Sequence, residues 1–192
     1  MAEIKSGLLH LNRGGGVLVD LDRPGDEVSV PARMVRELGL VEGARLTGPV
    51  RDGRGGAELV GVEAICGLSP EAFAARTPFD RLVALDPRER FPLAATGEPA
   101  MRIVDLVAPI GKGTRGLIVS PPKAGKTMLL EQVAQAVRAT DPEVRIVVLL
   151  IDERPEEVTF FRRGLDAEVF ASSADRPQRE HVALAELMLA HI

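Results

Sequence analysis

Tryptophan and tyrosine are absent from this 192-residue chain, and six phenylalanines are its whole aromatic content. None of the six precedes Phe73. An N-terminal surface that grips single-stranded nucleic acid by stacking bases on flat rings is therefore excluded. Cysteine is almost as scarce. Cys66 stands alone, so no internal disulfide can form, and a reducing cytoplasm is the expected home. Within Val62-Glu-Ala-Ile-Cys-Gly, Cys66 is expected to be a small buried apolar residue, not a nucleophile. No stretch approaches the roughly 18 apolar residues of a membrane span, and no basic-then-apolar leader opens the chain. A net charge of −4 argues against a generally basic, nucleic-acid-coating surface. Three scattered histidines offer no zinc-ligand spacing. Asp20, Asp22 and Asp26 suit a turn better than a calcium loop.

What is present is a soluble globular composition, 45% hydrophobic and 27% charged. From Ile4 to Ile65 short apolar runs alternate with Gly, Pro and Asp, the pattern of a small β-barrel or sandwich. A short helix starting at Pro31 and ending at Gly39 interrupts it. Residues 67–100 carry five prolines without periodicity and read as a connector. From Met101 onward strand and helix alternate, which predicts a parallel sheet with ligands at the strand C-terminal ends. The expected order is strand Gly116–Val119, helix Thr127–Ala139, strand Val144–Ile151, helix Glu156–Arg163, strand Glu168–Ala171 and a helix from Gln178. That last helix carries no stop signal and reads as ending mid-element.

Chemistry concentrates in the stretch from Gly116 to Leu130. An apolar run meets a Pro/Lys/Gly loop ending in Gly125-Lys126-Thr127, followed by an amphipathic helix. This is the layout of a phosphate-binding loop. Backbone amides and a helix N-terminus surround phosphates, Lys126 reaches the β- and γ-phosphates, and the Thr127 hydroxyl binds Mg²⁺. The bland alternative is a surface turn. The usual opening Gly is replaced by Ser120. A second element is the buried-strand run Val144–Ile151, which delivers Asp152, Glu153 and Arg154. Either this is a Mg²⁺-binding acidic strand, or Glu153 is a general base for the attacking water. A separation of about 25 residues from Lys126, one crossover to the next strand, favours the general base. A solvated acidic turn is the bland reading. Glu156 and Glu157 fit a helix first turn and are given no catalytic role. Phe160 and Phe161 read as packing residues, and Arg162-Arg163 as a helix C-terminus.

Taken together, residues 111–128 and 149–159 resemble bacterial transcription termination factor Rho, with weaker agreement at 79–90, 104–111 and 171–182. In that family Ala or Ser commonly opens the loop, so Ser120 fits. The resemblance implies an oligonucleotide-binding, cold-shock-like barrel (1–66), a connector (67–100) and the first part of a RecA-like α/β ATPase domain (101–192). It also implies a homohexameric, RNA-dependent ATPase and helicase that uses ATP and Mg²⁺, translocates along RNA and dislodges RNA polymerase. By position, Gly111, Lys112, Gly113, Thr114, Arg115 and Gly116, together with Lys123, Ala124, Gly125, Lys126, Thr127 and Met128, line the nucleotide. Met128 lies near the adenine, Glu153 is the catalytic carboxylate and Arg154 contacts nucleotide.

The chain departs from the family in two ways. The expected aromatic RNA platform falls on Gly16 and Leu18, or on Gly15 and Val17 one register away, and on Val28. A later contact falls on Arg54-Gly-Gly56. Weak or absent pyrimidine-RNA binding is expected. The family's metal-binding Asp strand, RNA-gripping loops and arginine finger all come later than Ile192. Weak Mg·ATP binding and little hydrolysis are expected of these residues alone. Two other readings remain: a non-catalytic nucleotide-binding remnant, and another RecA-like ATPase subunit such as a rotary or export type.

Overall fold

The computed structural model describes residues 3–20, 26–53, 56–121 and 123–192. Asp22, Arg54, Gly55 and Pro122 lie outside the described residues. Contacts between Cα atoms divide the chain into two units. One comprises Met1–Leu82 with Pro177–Ile192, the other Val83–Arg176. The division read from composition, at 66 and 100, follows different criteria.

The first unit is a barrel. Its strands are β1 (Glu3–Asn12), β2 (Gly15–Val19), β3 (Val28–Pro31), β4 (Arg45–Gly53) and β5 (Gly56–Leu59), with β6 (Ala64–Ile65) appended to β4. The order β1-β2-β3-β5-β4 closes because β4 also pairs with β1. All pairs in the ring are antiparallel except β3 with β5. Closure leaves no free sheet edge in the ring, which suits so small a sheet. In β4 the alternation is plain, with Leu46, Gly48 and Val50 inward and Arg45, Thr47 and Pro49 less buried. The core gathers Leu9, Leu18, Val28, Val30, Leu46, Leu59 and Ile65, plus Phe73 from α2 (Pro70–Ala74). Ser69 caps α2 by accepting the Ala72 amide at 3.2 Å. Helix α1 (Ala32–Glu37) follows Pro31 and ends before Gly39, whose φ is +58°.

Two glycines are demanded by close approach. At Gly16 a Cβ would sit 2.6 Å from Leu9 Cδ1. At Gly15 it would sit 2.3 Å from the Val30 carbonyl oxygen. The Gly-Gly pair lets β2 pass tightly between β1 and β3.

Cys66 is not buried, contrary to expectation. It is exposed in the turn where Ile65 and Leu68 bridge, at φ +51°. Ile65 takes the core position, and the turn geometry throws its neighbour outward.

The second unit has helices α3 (Pro99–Val107), α4 (Lys126–Thr140) and α5 (Pro155–Gly164), and strands β7 (Val147–Glu153) and β8 (Glu168–Ser173). β7 and β8 run parallel. Two apolar clusters hold it. Leu93, Met101 and Ala136 centre one, with Val104, Leu129 and Val133 around them. Leu150, Val158 and Phe161 centre the other, packing α5 on the β7–β8 face. Phe160 meets Phe161 edge to face at 5.8 Å but is itself 44% exposed.

Gly116–Val119 does not form the expected strand. Leu117 and Val119 are 87% and 82% exposed, and the described residues provide no strand beside them. A strand exists only through pairing, and an apolar run cannot supply its own partner. Helix α6 (Gln178–His191) belongs to the barrel unit. Its Leu184, Leu187 and Met188 are buried, and His191 Nδ1 lies 2.8 Å from the Gly43 carbonyl oxygen. No helix among the described residues is long and apolar enough to cross a membrane.

Candidate nucleotide site

Helix α4 opens on Gly125 in the left-handed region, φ +88°, with no side chain capping its first turn. Lys123, two residues earlier, is also left-handed at φ +62°. A non-Gly residue there costs about 1–2 kcal/mol. Such alternation of hand turns successive amides toward one concavity, the arrangement that holds anions. Both lysines lie at the positive end of the helix dipole, where a cation is disfavoured unless an anion joins it. The first turn carries no acidic residue. These features fit a phosphate.

Strand β7 brings the carboxylates. Asp152 sits at φ +57°, and the register with β8 slips between Ile151 and Glu153. This is a bulge, and a bulge reverses which face the following side chain takes. Asp is among the few residues that tolerate the left-handed region. Beyond the bulge the Glu153 backbone still holds β8's end, accepting the Ala174 amide at 3.0 Å. The Glu153 carboxylate lies 3.6 Å from Lys126 Nζ, with the two side chains 24% and 47% exposed. At such exposure the pair contributes little stability, about 0–1 kcal/mol. Its interest is positional.

Sequence reasoning missed one member. The Thr127 hydroxyl donates to Glu157 Oε2 at 3.1 Å. Glu157 lies in the first turn of α5, where the dipole alone explains an acidic residue, and its contact with Thr127 spans 30 residues of chain. Nothing local in the sequence signals it. Arg154 occupies the position before α5, and its carbonyl accepts the Glu157 and Val158 amides at 3.0 and 3.1 Å. Met128 is 58% exposed at the helix start, its Cε 3.7 Å from where a Cβ on Gly125 would be.

The residues 111–116 are not brought to the loop as a group. Gly111 bridges Arg90, and its amide donates to Thr114 Oγ1 at 2.9 Å. Gly113 turns at φ +102° against Pro87. Lys112 Nζ reaches Asp141 at 2.9 Å and Glu89 at 3.4 Å. Accepting from it, Asp141 raises the Lys112 ammonium above the ordinary lysine range, and Glu89 adds to the effect. Asp141 caps the far end of α4, about 22 Å from Lys126 for a helix of 15 residues. In the structure Lys112 is paired at the end of α4 opposite the loop. Arg115, Gly116 and Ser120 run in the unpaired segment leading to the loop.

The expected RNA face can also be read from register. Leu18 and Val28, matched by position to aromatic sites, are both 2% exposed and point into the core. The outward row across the barrel is His10 on β1, Val17 on β2, Ser29 on β3, Glu58 on β5 and Arg51 on β4. It holds no aromatic ring.

Fold and loop together define a phosphate-loop nucleotide-binding domain preceded by an oligonucleotide-binding type of barrel. Residues 100–187 match the family of ATP synthase alpha/beta nucleotide-binding domains, an ATPase family. Over most of its length the chain is similar to transcription termination factor Rho. It is 45% identical to Rho of Streptomyces coelicolor, over 98% of this chain and 45% of that protein. It is 44% identical to Rho of Micrococcus luteus and of Aquifex aeolicus, in each case over 85% of this chain, covering 26% and 39% of theirs. Over the residues it spans this is a Rho-like chain, and it spans less than half the length of these relatives.

Proposed function

We propose that the chain is the nucleic-acid-facing barrel and the nucleotide-binding start of a Rho-like, ATP-dependent RNA translocase that releases transcripts from RNA polymerase. The likeness to Rho runs through both the barrel and the loop, which favours this over a rotary or export ATPase subunit. In this reading 1–66 is the barrel, 67–100 the connector and 101–192 the start of the ATPase domain. The carrying observation is the loop itself: an uncapped helix at Gly125, Lys126 beside Glu153, and Thr127 held by Glu157.

With nucleotide bound, Lys123–Met128 would surround the phosphates, Lys126 would pair with the β- and γ-oxygens in place of Glu153, and Thr127 is the residue that would hold Mg²⁺. The metal neutralises phosphate charge when present. Released from Lys126, Glu153 orients the attacking water. Met128, Arg154, Arg115 and Gly116 border the nucleotide. Turnover in the ring reading uses an arginine from a neighbouring subunit, so the separate chain binds nucleotide without appreciable hydrolysis. ATP-dependent thermal shift tests the binding. A rise in melting temperature with Mg·ATP, lost in Lys126→Ala, is expected, and no rise at millimolar ATP contradicts it.

A second reading, a binding module that catalyses nothing, is favoured by the outward row His10, Val17, Ser29, Glu58 and Arg51. Aromatic stacking contributes about 1–3 kcal/mol per base at such sites. Without it, RNA binding by the barrel is weak and salt-sensitive.

A further inference from the structure

We propose that the groove between α3 and the turn Leu93–Thr96 docks an acidic, amphipathic helix of a partner protein. The groove is built from residues that the nucleotide site does not use.

Helix α3 is apolar on two sides. Met101 and Val104 turn inward against Leu93 and Ala136, and Leu93 and Met101 are fully buried. At the helical repeat Ile103, Leu106 and Val107 fall on the opposite side, where they are 63%, 84% and 76% exposed. A helix that only covered a core would carry polar residues there. Contiguous exposed apolar surface of this kind marks a contact with another molecule. Ile103 and Leu106 also line an open groove of about 560 Å³, together with Ala94, Pro99, Arg90 and Arg102.

The walls of the groove are fixed to each other. Asp105 on α3 accepts the Ala94 amide at 2.7 Å, which ties the turn to the helix. The Ala95 and Gly97 amides bond to the Pro92 and Ala94 carbonyls, and α3 satisfies its own ladder. The groove therefore offers no strand edge, and recognition falls to side chains. An extended peptide would bring unpaired amides to such a surface, whereas a helix brings none. An amphipathic helix with anchors three and four residues apart matches the spacing of Ile103, Leu106 and Val107.

Arg90 and Arg102 set the sign of the occupant. Both are exposed, and neither makes an ion pair or a side-chain hydrogen bond among the described residues. The one carboxylate lining the groove, Asp105, is engaged by the Ala94 amide. The chain carries −4 overall, so this positive rim is local, and it disfavours the basic helices that net charge alone would attract. A guanidinium recognises a carboxylate through paired hydrogen bonds, which calls for Asp or Glu beside the apolar anchors.

Fluorescence anisotropy tests the proposal on the full 192-residue chain. The probe is a labelled synthetic helix of about four turns, with leucine along one face and glutamate along both borders. It should bind saturably, at least about tenfold tighter than the same peptide with lysine in place of glutamate. Arg90→Glu combined with Arg102→Glu should reverse that preference. Leu106→Asp should weaken the acidic peptide at least about tenfold. These side chains are exposed, thermal melting confirms folding, and either variant carries the test if the other does not fold. Absence of saturable binding, equal binding of the two peptides, or a folded Leu106→Asp chain that binds like the wild type overturns the proposal. Self-association in sedimentation that Leu106→Asp abolishes overturns it too, and gives the face to a second copy of this chain.

Discussion

At Asp152 a single backbone angle decides what the site contains. Its left-handed φ of +57° interrupts the period of two along β7, and Glu153 emerges on the side where Lys126 waits. The run Leu149-Leu-Ile-Asp-Glu-Arg suggested acidic chemistry at a strand end, but nothing in its composition announced a bulge. Lys112 teaches the opposite lesson. The resemblance places it at the nucleotide, while in the structure it pairs with Asp141 and Glu89, Asp141 lying at the other end of α4. Lys112→Ala should leave ATP affinity within about twofold of wild type by calorimetry. A loss as large as that of Lys126→Ala would return Lys112 to the nucleotide. Gly43 is decisive in another sense. At φ +73° with the His191 amide 2.5 Å from where a Cβ would stand, it admits neither side chain nor ordinary backbone. Gly43→Ala should cost about 1–2 kcal/mol from conformation alone, before the clash with α6 is counted. Chemical denaturation measures it, and an unchanged midpoint would show that α6 does not seat there.

Among the elements, those built from local pattern were legible and those built from distant pairing were not. The barrel strands follow alternation and turn residues, and α1 is bracketed by Pro31 and Gly39, so both could be read directly. Helices α4, α5 and α6 and strand β8 likewise lie close to their expected bounds. α3 was hidden because prolines at 92 and 99 made the region look irregular, although Pro99 is the first residue of that helix. The strand expected at Gly116–Val119 failed because an apolar run states a preference while pairing needs a partner. In the barrel the energetic weight rests on residues such as Leu46, fully buried between β1 and β6. Leu46→Ala should destabilise the chain by about 2–5 kcal/mol in urea unfolding. A change below roughly 1 kcal/mol would mean that the barrel core is looser than its burial implies.

For the whole molecule, the two halves tell different stories about the same lineage. The loop brings together a cation, a hydroxyl and two carboxylates, the groups a nucleotide site would use. The barrel keeps the strand order of an oligonucleotide-binding fold but presents His10, Val17, Ser29, Glu58 and Arg51 where stacking rings would serve RNA. Oligo(C) binding should therefore be weak at physiological salt and fall steeply as salt rises, because only phosphate contacts remain. Tight, salt-resistant binding would require a stacking surface that the outward row does not supply.

The central claim is that the Lys126 loop binds nucleotide phosphates. Calorimetric titration of the 192-residue chain with Mg·ATP, alongside Lys126→Ala, tests it most directly. Saturable one-to-one binding by the wild type, weakened at least roughly a hundredfold in Lys126→Ala, is the predicted result. Equal binding by both proteins, or none by the wild type, would contradict it.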